Sequence, residues 1–371
     1  MKKILVFGIT DKPGGVESVI MNYYRNMDRE KLQFDFLCNT EIVAYEDEIK
    51  SLGGNIYRIT ARSKNFMQYR KDLKKFFDEN AQKYDTVWVN ICSLANIDYL
   101  KMAKKYKIKN RIIHCHNSQN MDSKLRGMLH KFNRLFIGNI ANIYWSCAKD
   151  SSPWFFNKKI MNSSNYAVIN NAIDIDKYKF NNEKREAIRK ELNYKDTDIV
   201  IGNVGRMHFQ KNQIFLLKIF KELLKLSPNY KLEIAGDGED REKIEKFISE
   251  NNLESNVKLL GNRTDMDKLY SGMDIFLFPS LFEGLSVALV EAQASGVMIF
   301  ATKDTIPDEI KMVKENYFWV SLDEDEVSWA KKIHENYKAN YERSNVEQYI
   351  KDAGFDIKEE TKKIEKIFLD V

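Results

Sequence analysis

Strand-like and helix-like segments alternate along this chain, and the alternation restarts once. Short runs rich in β-branched or aromatic residues are separated by longer segments with helical periodicity, which indicates βαβ units and a parallel, doubly wound sheet. The expected strands of the first series are Ile4–Phe7, Phe34–Leu37, Thr86–Val89, Arg111–His114 and Ile143–Ser146. Those of the second series are Ile199–Val204, Lys231–Ala235, Asn256–Leu260, Ile275–Pro279 and Met298–Ala301. The sequence therefore predicts an α/β protein with two domains of the same kind.

The length of the chain agrees with two domains, because 371 residues exceed what one hydrophobic core normally organises. We place the linker in the polar segments Asn171–Asp174 and Asn181–Arg189, with the domain boundary near residue 178. The first domain would span residues 1–178 and the second residues 179–349. The segment Val346–Val371 has a helical pattern, and we expect residues 350–371 to cross back and pack on the first domain.

A glycine pair, Gly14 and Gly15, follows the first expected strand and precedes a helical pattern. Backbone N–H groups can approach a ligand closely there, and the positive end of the helix dipole favours a phosphate. A tight strand-to-helix turn that needs glycine only for its backbone angles is the alternative interpretation. The loop matches neither the Gly-x-Gly-x-x-Gly of dinucleotide-dependent dehydrogenases nor a P-loop, which disfavours both classes.

The loop after Ile199–Val204 contains two cationic side chains, Arg206 and Lys211. The guanidinium fork of Arg206 can bind phosphate oxygens in pairs, and the ammonium of Lys211 adds a compact charge. Two cations beside the start of a helix can therefore bind a diphosphate, and a solvated basic loop is the alternative. We interpret His208 in the same loop as a structural or solvent-facing residue rather than a metal ligand.

The most specific signal is a pair of glutamates, Glu283 and Glu291, around the start of an expected helix. Glu283 is expected on the loop and Glu291 inside an otherwise apolar helix, where a buried carboxylate needs a hydrogen-bonding partner. Carboxylates accept hydrogen bonds and sugar hydroxyls donate them. Gly284 lets the backbone approach a ligand, and the Ser286 side chain is expected to cap the helix. The segment therefore predicts a site for vicinal hydroxyl groups.

Together, the Glu-x7-Glu segment, the Gly-Arg and Lys loop before it and the N-terminal Gly-Gly pair resemble glycosyltransferase family 4. Three further segments are similar to that family in order and spacing: Ala235-Gly236-Asp237-Gly238, Leu260-Gly261-Asn262-Arg263 and Ala294-Ser295-Gly296-Val297. The resemblance covers essentially the whole chain and is nearest to enzymes that build bacterial capsular polysaccharide, exopolysaccharide or O-antigen chains. It implies a GT-B fold, in which two Rossmann-like domains face a central cleft.

The resemblance also implies roles for individual residues. Those with an implied catalytic role are Glu283, Arg206, Lys211 and His116. Those with an implied donor-binding role are Gly14, Gly15, Asn262, Arg263, Gly284, Leu285, Ser286 and Glu291. Arg206 and Lys211 would bind the donor diphosphate with help from the Gly15 amide. Glu283 would bind hydroxyls of the transferred sugar, Glu291 would bind the nucleotide ribose, and Asn262 and Arg263 would lie beside the base.

His114 and His116 stand two apart at the end of an expected strand, so their imidazoles would point the same way. No cluster of carboxylates or cysteines accompanies this pair in the sequence, which argues against a metal site. The resemblance assigns His116 a place near the donor sugar and diphosphate and leaves His114 as a packing residue. We interpret the Asp-x-Asp strings, 174–176, 265–267 and 323–325, as caps and turns. We expect no metal and no other cofactor, because cationic side chains and helix dipoles supply the positive charge.

The net charge of +5 is unevenly distributed, since Lys and Arg exceed Asp and Glu in residues 1–178 and the reverse holds in residues 179–371. Much of the excess lies between Arg58 and Arg134. A basic surface with exposed aromatic rings can dock at anionic lipid headgroups, and a solvated helix face is the alternative. The candidate aromatic residues are Phe66, Tyr69, Phe76 and Phe77. No recognition motif for nucleic acid accompanies the charge, so nucleic acid is not an expected partner.

The N-terminal apolar run Ile4–Phe7 is too short for a signal peptide, and no stretch of the sequence reaches the roughly 18 apolar residues of a membrane span. We therefore expect a cytoplasmic protein that can act at the inner face of the cell membrane. The expected reaction is retaining transfer of a sugar from a nucleotide sugar, UDP-linked by default, to a glycan or lipid-linked acceptor. The alternatives are a nucleotide-sugar epimerase of similar fold and a non-catalytic protein that binds nucleotide sugars or glycans.

Overall fold

The structure is a computed structural model that describes residues 1–117, 123–149, 151–303, 305–339, 341–343 and 346–370. The chain divides into two compact units, Met1–Ala172 with Ile357–Val371 and Ile173–Asp356. The division falls a few residues before the position near residue 178 that the sequence indicated. The segment Asn181–Arg189, which we placed in the linker, lies mostly in a helix of the second unit, where Ile188 and Arg189 are buried.

The first unit is built on a parallel sheet of seven strands. Its elements up to residue 168 are β1 (Lys2–Phe7), α1 (Gly15–Asn26), β2 (Leu32–Cys38), α2 (Glu46–Ser51), β3 (Ile56–Arg58), α3 (Phe66–Asn80), β4 (Thr86–Ile91), α4 (Asp98–Lys105), β5 (Asn110–Cys115), α5 (Lys124–Ile140), β6 (Ile143–Ser146), α6 (Ser152–Phe155), α7 (Lys158–Met161) and β7 (Tyr166–Val168). The strand order is β3-β2-β1-β4-β5-β6-β7, so the direction of winding reverses between β1 and β4. Helices α3, α4 and α5 share one hydrophobic cluster with the sheet.

The second unit is built on a parallel sheet of six strands. Its elements are α8 (Ile175–Tyr178), α9 (Asn182–Glu191), β8 (Ile199–Val204), α10 (Gln213–Leu226), β9 (Tyr230–Ala235), α11 (Arg241–Glu250), β10 (Val257–Gly261), α12 (Met266–Gly272), β11 (Ile275–Phe278), α13 (Val287–Ala294), β12 (Met298–Thr302), β13 (Tyr317–Val320), α14 (Glu326–Asn336) and α15 (Glu347–Asp352). The strand order is β10-β9-β8-β11-β12-β13, which reverses between β8 and β11. The prediction of an α/β protein with two doubly wound parallel sheets is confirmed.

Three strands that the sequence analysis did not identify lie at the edges of the sheets: β3 and β7 in the first unit and β13 in the second. Each pairs in parallel with one neighbour. Edge strands are often short, and a run of three or four residues gives too little periodicity to be recognised in a sequence.

The last helix, α16 (Ile357–Asp370), belongs to the first unit. The Phe368 ring packs among core aromatic rings, with centroid separations of 5.9 Å to Phe34, 5.8 Å to Trp88 and 5.7 Å to Trp145. The ammonium of Lys2 on β1 donates a hydrogen bond of 2.8 Å to the carbonyl oxygen of Leu369. The helix therefore completes a core that the first residues of the chain begin.

Three of the four aromatic residues proposed for a membrane-docking surface are buried instead. Tyr69, Phe76 and Phe77 lie on the side of α3 that packs against the sheet, and only Phe66 at the start of the helix is exposed. That part of the surface prediction was wrong, because the rings serve the core. Among the described residues, no helix combines the length and the apolar character needed to cross a membrane.

Candidate active site

The loops after β8 and β11 meet at the point where the second sheet changes its direction of winding. β8 and β11 are adjacent parallel strands, and loops at the carboxyl ends of such a pair form the ligand crevice of open α/β sheets. The two loops are tied together, since the backbone N–H of Leu281 donates to the Gln210 carbonyl at 2.8 Å and Gln210 Nε2 donates to the Phe282 carbonyl at 2.9 Å. The structure therefore brings into contact the two loops to which the sequence assigned donor-binding residues.

An ion pair between Lys211 and Glu283 occupies this crevice. Lys211 Nζ lies 2.8 Å from Glu283 Oε1, and only 15% of the lysine side chain and 7% of the glutamate side chain are exposed. The ammonium also lies 4.5 Å from the centroid of the Phe278 ring at the end of β11. The backbone N–H of Glu283 donates to the carbonyl oxygen of Thr305 at 2.9 Å, which fixes the loop. Each buried charge is neutralised by the other, so the positions of both are well determined.

Glycines let the loops after β8 and β9 pack backbone against backbone. A Cβ atom on Gly236 would lie 2.1 Å from the Gly205 carbonyl oxygen, and one on Gly205 would lie 2.8 Å from Lys211 Cε. Both glycines also have positive φ, +152° at Gly205 and +132° at Gly236, which other residues rarely adopt. Glycine at position 205 therefore makes room for the aliphatic part of Lys211, and glycine at position 236 lets the two loops approach each other.

Arg206 is placed differently from Lys211, because 72% of its side chain is exposed. Arg206 Nε donates to Glu239 Oε2 at 3.1 Å, and His208 Nε2 lies 3.3 Å from the other oxygen of the same carboxylate. An exposed ion pair of this kind contributes little to stability, so a ligand anion can displace Glu239 at small cost. His208 is thus paired with a carboxylate at the surface.

Glu291 lies on α13 beside two tyrosines, Tyr178 and Tyr270. Its side chain is buried, and Tyr270 donates a hydrogen bond of 3.0 Å from its hydroxyl to Glu291 Oε2. Burial raises the pKa of Glu291 to about 7, an effect that hydrogen bonds from Tyr178 and Tyr270 only partly offset. Near neutral pH this carboxyl group is therefore balanced between its two protonation states, and hydroxyl donors from a ligand would favour the ionised form.

Three further predicted residues, Gly284, Leu285 and Ser286, lie between Glu283 and Glu291 in the sequence. Gly284 is half-buried, and Leu285 and Ser286 are buried. Ser286 occupies the position before the first turn of α13 but makes no side-chain capping hydrogen bond there, so its predicted role as a cap was wrong. The α13 dipole at this end is thus not masked by a serine side chain.

Asn262 and Arg263 follow the end of β10. Asn262 is exposed, whereas Arg263 is held by carboxylates on both sides, with Nη2 at 2.8 Å from Asp265 Oδ2 and at 2.9 Å from Glu191 Oε1. This arrangement fixes the guanidinium plane, which makes Arg263 a rigid surface rather than a free charge. A flat and rigid guanidinium is suited to stacking on a base.

In the first unit, Gly14 and Gly15 stand at the start of α1 as the sequence indicated, but a carboxylate stands there too. Glu17 is buried in the first turn and accepts a hydrogen bond of 2.5 Å from the Thr10 hydroxyl. A Cβ atom on Gly14 would lie 2.8 Å from Glu17 Oε2. Burial raises the pKa of Glu17. The amino end of α1 therefore already has an acidic partner, which opposes a phosphate group while Glu17 is ionised.

His114 and His116 lie side by side after β5, with ring centroids 4.1 Å apart, as their spacing predicted. His116 is half-buried, and its Nε2 atom lies 3.0 Å from Asn90 Oδ1, so Nε2 carries the proton and donates it to this amide oxygen. Burial lowers the pKa of His116 to about 3, so the ring is neutral at pH 7. His114 is fully buried against Trp88, which is consistent with a packing role.

The Asp-x-Asp strings are engaged in local structure. The side chains of Asp174 and Asp325 cap α8 and α14, as the sequence indicated. Asp267 pairs with Lys184 at 2.7 Å. Within the described ranges, no group of three or more His, Cys, Asp or Glu side chains is arranged to hold a metal ion.

Sequence reasoning missed the side chains that support the predicted ones. Tyr270 and Tyr178 hold Glu291, and Glu17 occupies the start of α1. Glu17 was visible two residues after the glycine pair, but an acidic residue in a first helical turn is common for dipole reasons alone. The two tyrosines come from helices that are distant from Glu291 in sequence, so no local pattern could identify them.

The comparison with known proteins assigns this arrangement to a family. The sequence model described as "Glycosyl transferases group 1" matches residues 184–353. Over 349 residues, the chain is 30% identical to the putative glycosyltransferase EpsF of Bacillus subtilis, and the alignment spans 92% of this chain and 90% of EpsF. The chain belongs to the group 1 glycosyl transferases. This glycosyltransferase is also 26% identical over 372 residues to the capsular polysaccharide biosynthesis glycosyltransferase CapH of Staphylococcus aureus, across 96% of the chain and 95% of CapH.

Solved structures agree with the family at the level of the fold. The structure of Anabaena HepE in complex with UDP and glucose matches this glycosyltransferase with a TM-score of 0.80 and 18% sequence identity over 100% of both chains. The expectation of a GT-B fold with two Rossmann-like domains is thereby confirmed.

Proposed function

We propose that this glycosyltransferase is a member of family 4 that transfers a sugar from a UDP-sugar to a glycan or lipid-linked saccharide, with retention of anomeric configuration and without a metal. The observation that carries the proposal is the buried pair of Lys211 and Glu283 at the switch point of the second sheet, at 2.8 Å. It brings a cation for a diphosphate and an acceptor for sugar hydroxyls into one crevice.

The donor diphosphate would bind on the basic side of this crevice. Lys211 supplies a buried ammonium, and Arg206 supplies an exposed guanidinium whose partner Glu239 is easily displaced. In the first unit, taken by itself, the amide of Gly15 would bind an anionic group once Glu17 is protonated or withdrawn. These groups replace the positive charge that a metal ion would otherwise provide.

The sugar and the ribose would bind on the acidic side. Glu283 would accept hydrogen bonds from hydroxyls of the transferred sugar, and Gly284, Leu285 and Ser286 would form the wall next to it. Glu291 would accept hydrogen bonds from the ribose. The pKa of Glu291 is about 7, so the group is partly protonated at neutral pH, and two vicinal hydroxyl donors would stabilise its ionised form. Asn262 and the fixed guanidinium of Arg263 would flank the base.

The reaction would proceed at the face of the sugar from which the diphosphate departs. The bond between the anomeric carbon and the diphosphate oxygen breaks, the acceptor oxygen bonds to that carbon from the same side, and the acceptor proton passes to the departing phosphate oxygen. Lys211 and Arg206 would stabilise the charge that develops on the leaving group, each by about 3 kcal/mol if well placed. His116 is neutral and would orient a hydroxyl group through hydrogen bonding rather than act as an imidazolium acid.

The choice of UDP and of a polysaccharide acceptor is supported by what is known of similar proteins. HepE was solved with UDP and glucose, and CapH is named for capsular polysaccharide biosynthesis. On this proposal the chain acts in the cytoplasm, at the inner face of the membrane where lipid-linked saccharides are extended.

The proposal is tested by incubating the protein with a panel of UDP-, GDP-, ADP- and CMP-sugars and measuring nucleotide release by mass spectrometry. UDP should be released from at least one UDP-sugar, faster with acceptor, and the rate should be unchanged by EDTA. Lys211→Met and Glu283→Gln should abolish release, whereas Lys218→Met, at an exposed lysine of α10, should not.

Other outcomes would reject the proposal in different ways. Conversion of the donor sugar without any acceptor would indicate an epimerase. Binding of a nucleotide sugar without turnover under any condition would indicate a non-catalytic protein. An inverted anomeric centre, measured by NMR on the product, would reject the retaining mechanism alone.

A further inference from the structure

The side of α5 that faces solvent is apolar, which is the reverse of an ordinary surface helix. The side chains that α5 buries are those of His130, Asn133 and Ile137, together with the backbone at Gly127. Apart from the buried Ile137 and the partly buried Leu129 and Ile140, its large apolar side chains are between 44% and 74% exposed, and they are Leu125, Met128, Phe132, Leu135 and Phe136. We call these five residues the α5 stripe.

The α5 stripe is continuous along the helix. Its members recur at helical spacings of three and four residues, so their side chains lie one above the other on the side opposite the buried residues. The rings of Phe132 and Phe136 are in contact, with centroids 5.1 Å apart. A contiguous exposed apolar surface of this kind marks a site of interaction, whereas single exposed apolar residues do not.

The charges on α5 all have the same sign. The helix Lys124–Ile140 contains lysine and arginine but neither aspartate nor glutamate. Lys124 and Lys131 are exposed and lie along one edge of the α5 stripe, given the helical rotation of about 100° per residue. The neighbouring helix α4 ends with Lys104 and Lys105, and Lys104 Nζ donates to the Asn139 carbonyl oxygen at 2.6 Å. The apolar surface is therefore bordered by positive charge on more than one side.

A groove next to the α5 stripe extends the same chemistry. It has a volume of about 500 Å³ and lies between α5 and the start of α6, where Phe132 and Leu135 stand opposite Pro153 and Trp154. Arg134 lines the groove and donates to the Pro153 carbonyl oxygen at 2.9 Å. Apolar walls with a cation at the rim suit a chain-like apolar group that carries an anionic head.

We propose that α5 docks this protein on an anionic bilayer. The α5 stripe inserts at the boundary between headgroups and acyl chains, and Lys124 and Lys131 bind headgroup phosphates. A second copy of the chain fits this surface less well, because a symmetric contact of α5 with itself would bring like charges together without any carboxylate on the helix. The docking does not depend on the reaction proposed above, so it can be measured without a sugar nucleotide.

The test is vesicle flotation of the full-length protein with phosphatidylcholine vesicles and with vesicles containing phosphatidylglycerol. We expect binding to the anionic vesicles, reduced by about tenfold or more in the double variant Phe132→Ser/Leu135→Ser. The matched control is Leu226→Ser/Val327→Ser, which changes two exposed apolar residues of the second unit and should bind like the unaltered protein. Lys124→Gln/Lys131→Gln should lose the preference for anionic vesicles. All variants should keep their thermal unfolding midpoint, because the altered side chains are at the surface.

Three results would overturn the proposal. The first is absence of binding to the anionic vesicles by the unaltered protein. The second is equal binding by the unaltered protein and the stripe variant. The third is a dimer in analytical ultracentrifugation that Phe132→Ser/Leu135→Ser converts to a monomer, since the α5 stripe would then be an interface between copies.

Discussion

Protonation of Glu291 should control the affinity for the donor across the neutral pH range. Burial raises the pKa of this carboxyl group from 4.5 to about 7. That displacement corresponds to about 3 kcal/mol in favour of the protonated form. If the ribose hydroxyls bind only the ionised form, the fraction ready for binding falls from about nine-tenths at pH 8 to about one-tenth at pH 6. The dissociation constant of UDP-glucose should therefore rise about tenfold between these two values.

Isothermal titration calorimetry with UDP-glucose measures this effect, because the diphosphate of a sugar nucleotide has no group that titrates in this range. At pH 6, binding should release close to one proton, which is detected by comparing buffers with different enthalpies of ionisation. Tyr270→Phe removes a hydrogen bond to the ionised form and should move the affinity transition to higher pH. Glu291→Gln should bind more weakly at pH 8 and show no transition.

The same pKa has a consequence for stability whose sign is opposite to that for binding. Because the folded-state pKa of Glu291 is raised, its contribution to stability is complete below pH 4.5 and is lost as pH rises through about 7. Glu291→Gln should thus gain stability relative to the unaltered protein as pH rises.

An affinity for UDP-glucose that is flat from pH 6 to pH 8 in the unaltered protein would refute the proposed dependence of donor binding on the protonation of Glu291.

Three further changes test the geometry of the site. Lys211→Met should destabilise the protein by about 3 kcal/mol in urea unfolding, because it leaves the buried carboxylate of Glu283 without its partner. The double variant Lys211→Met/Glu283→Gln should recover most of this loss. Failure to recover it would contradict the pairing. Gly236→Ala should cost at least about 2 kcal/mol because its Cβ would lie 2.1 Å from the Gly205 carbonyl oxygen, while Gly261→Ala, where nothing lies within 4 Å, should cost less. His114→Phe should retain transferase activity, unlike the same change at His116, because the His114 ring is fully buried against Trp88 and Trp145 and serves packing; loss of transferase activity in His114→Phe would contradict this assignment.

The central strands were predictable because a parallel sheet covered on both faces needs continuous apolar runs. Ile275–Phe278 and Met298–Thr302 are such runs, and every residue in them is buried. The edge strand β3 has only three residues, none of them buried, and therefore leaves no comparable signal. The loops that carry Lys211 and Glu283 were predictable for the same reason, since they follow two central strands.

Two helices show why a sequence cannot indicate which apolar surface is covered. In α3, Tyr69, Leu73, Phe76 and Phe77 have helical spacing and are buried. The α5 stripe has the same spacing and is exposed. Periodicity identifies a common face of a helix, but the neighbouring elements decide whether that face meets the sheet or the solvent. The tyrosine partners of Glu291 were unpredictable for a related reason, since they come from other helices.

The position of α16 in the first unit has a consequence for how the chain folds during synthesis. The core around Phe34 and Trp88 lacks Phe368 until α16 has left the ribosome, whereas the second unit is one continuous segment, Ile173–Asp356, and is available earlier. The first unit is therefore synthesised first but completed last. The apolar surface that α16 covers stays exposed until a segment more than 300 residues away has been made, since the hydrogen bond from Lys2 to Leu369 joins residues that are 367 positions apart. Contacts of such long range form slowly and leave intermediates prone to association. A bulky insertion directly before α16 would interfere with this closing step, whereas an insertion in an exposed loop of the second unit would not.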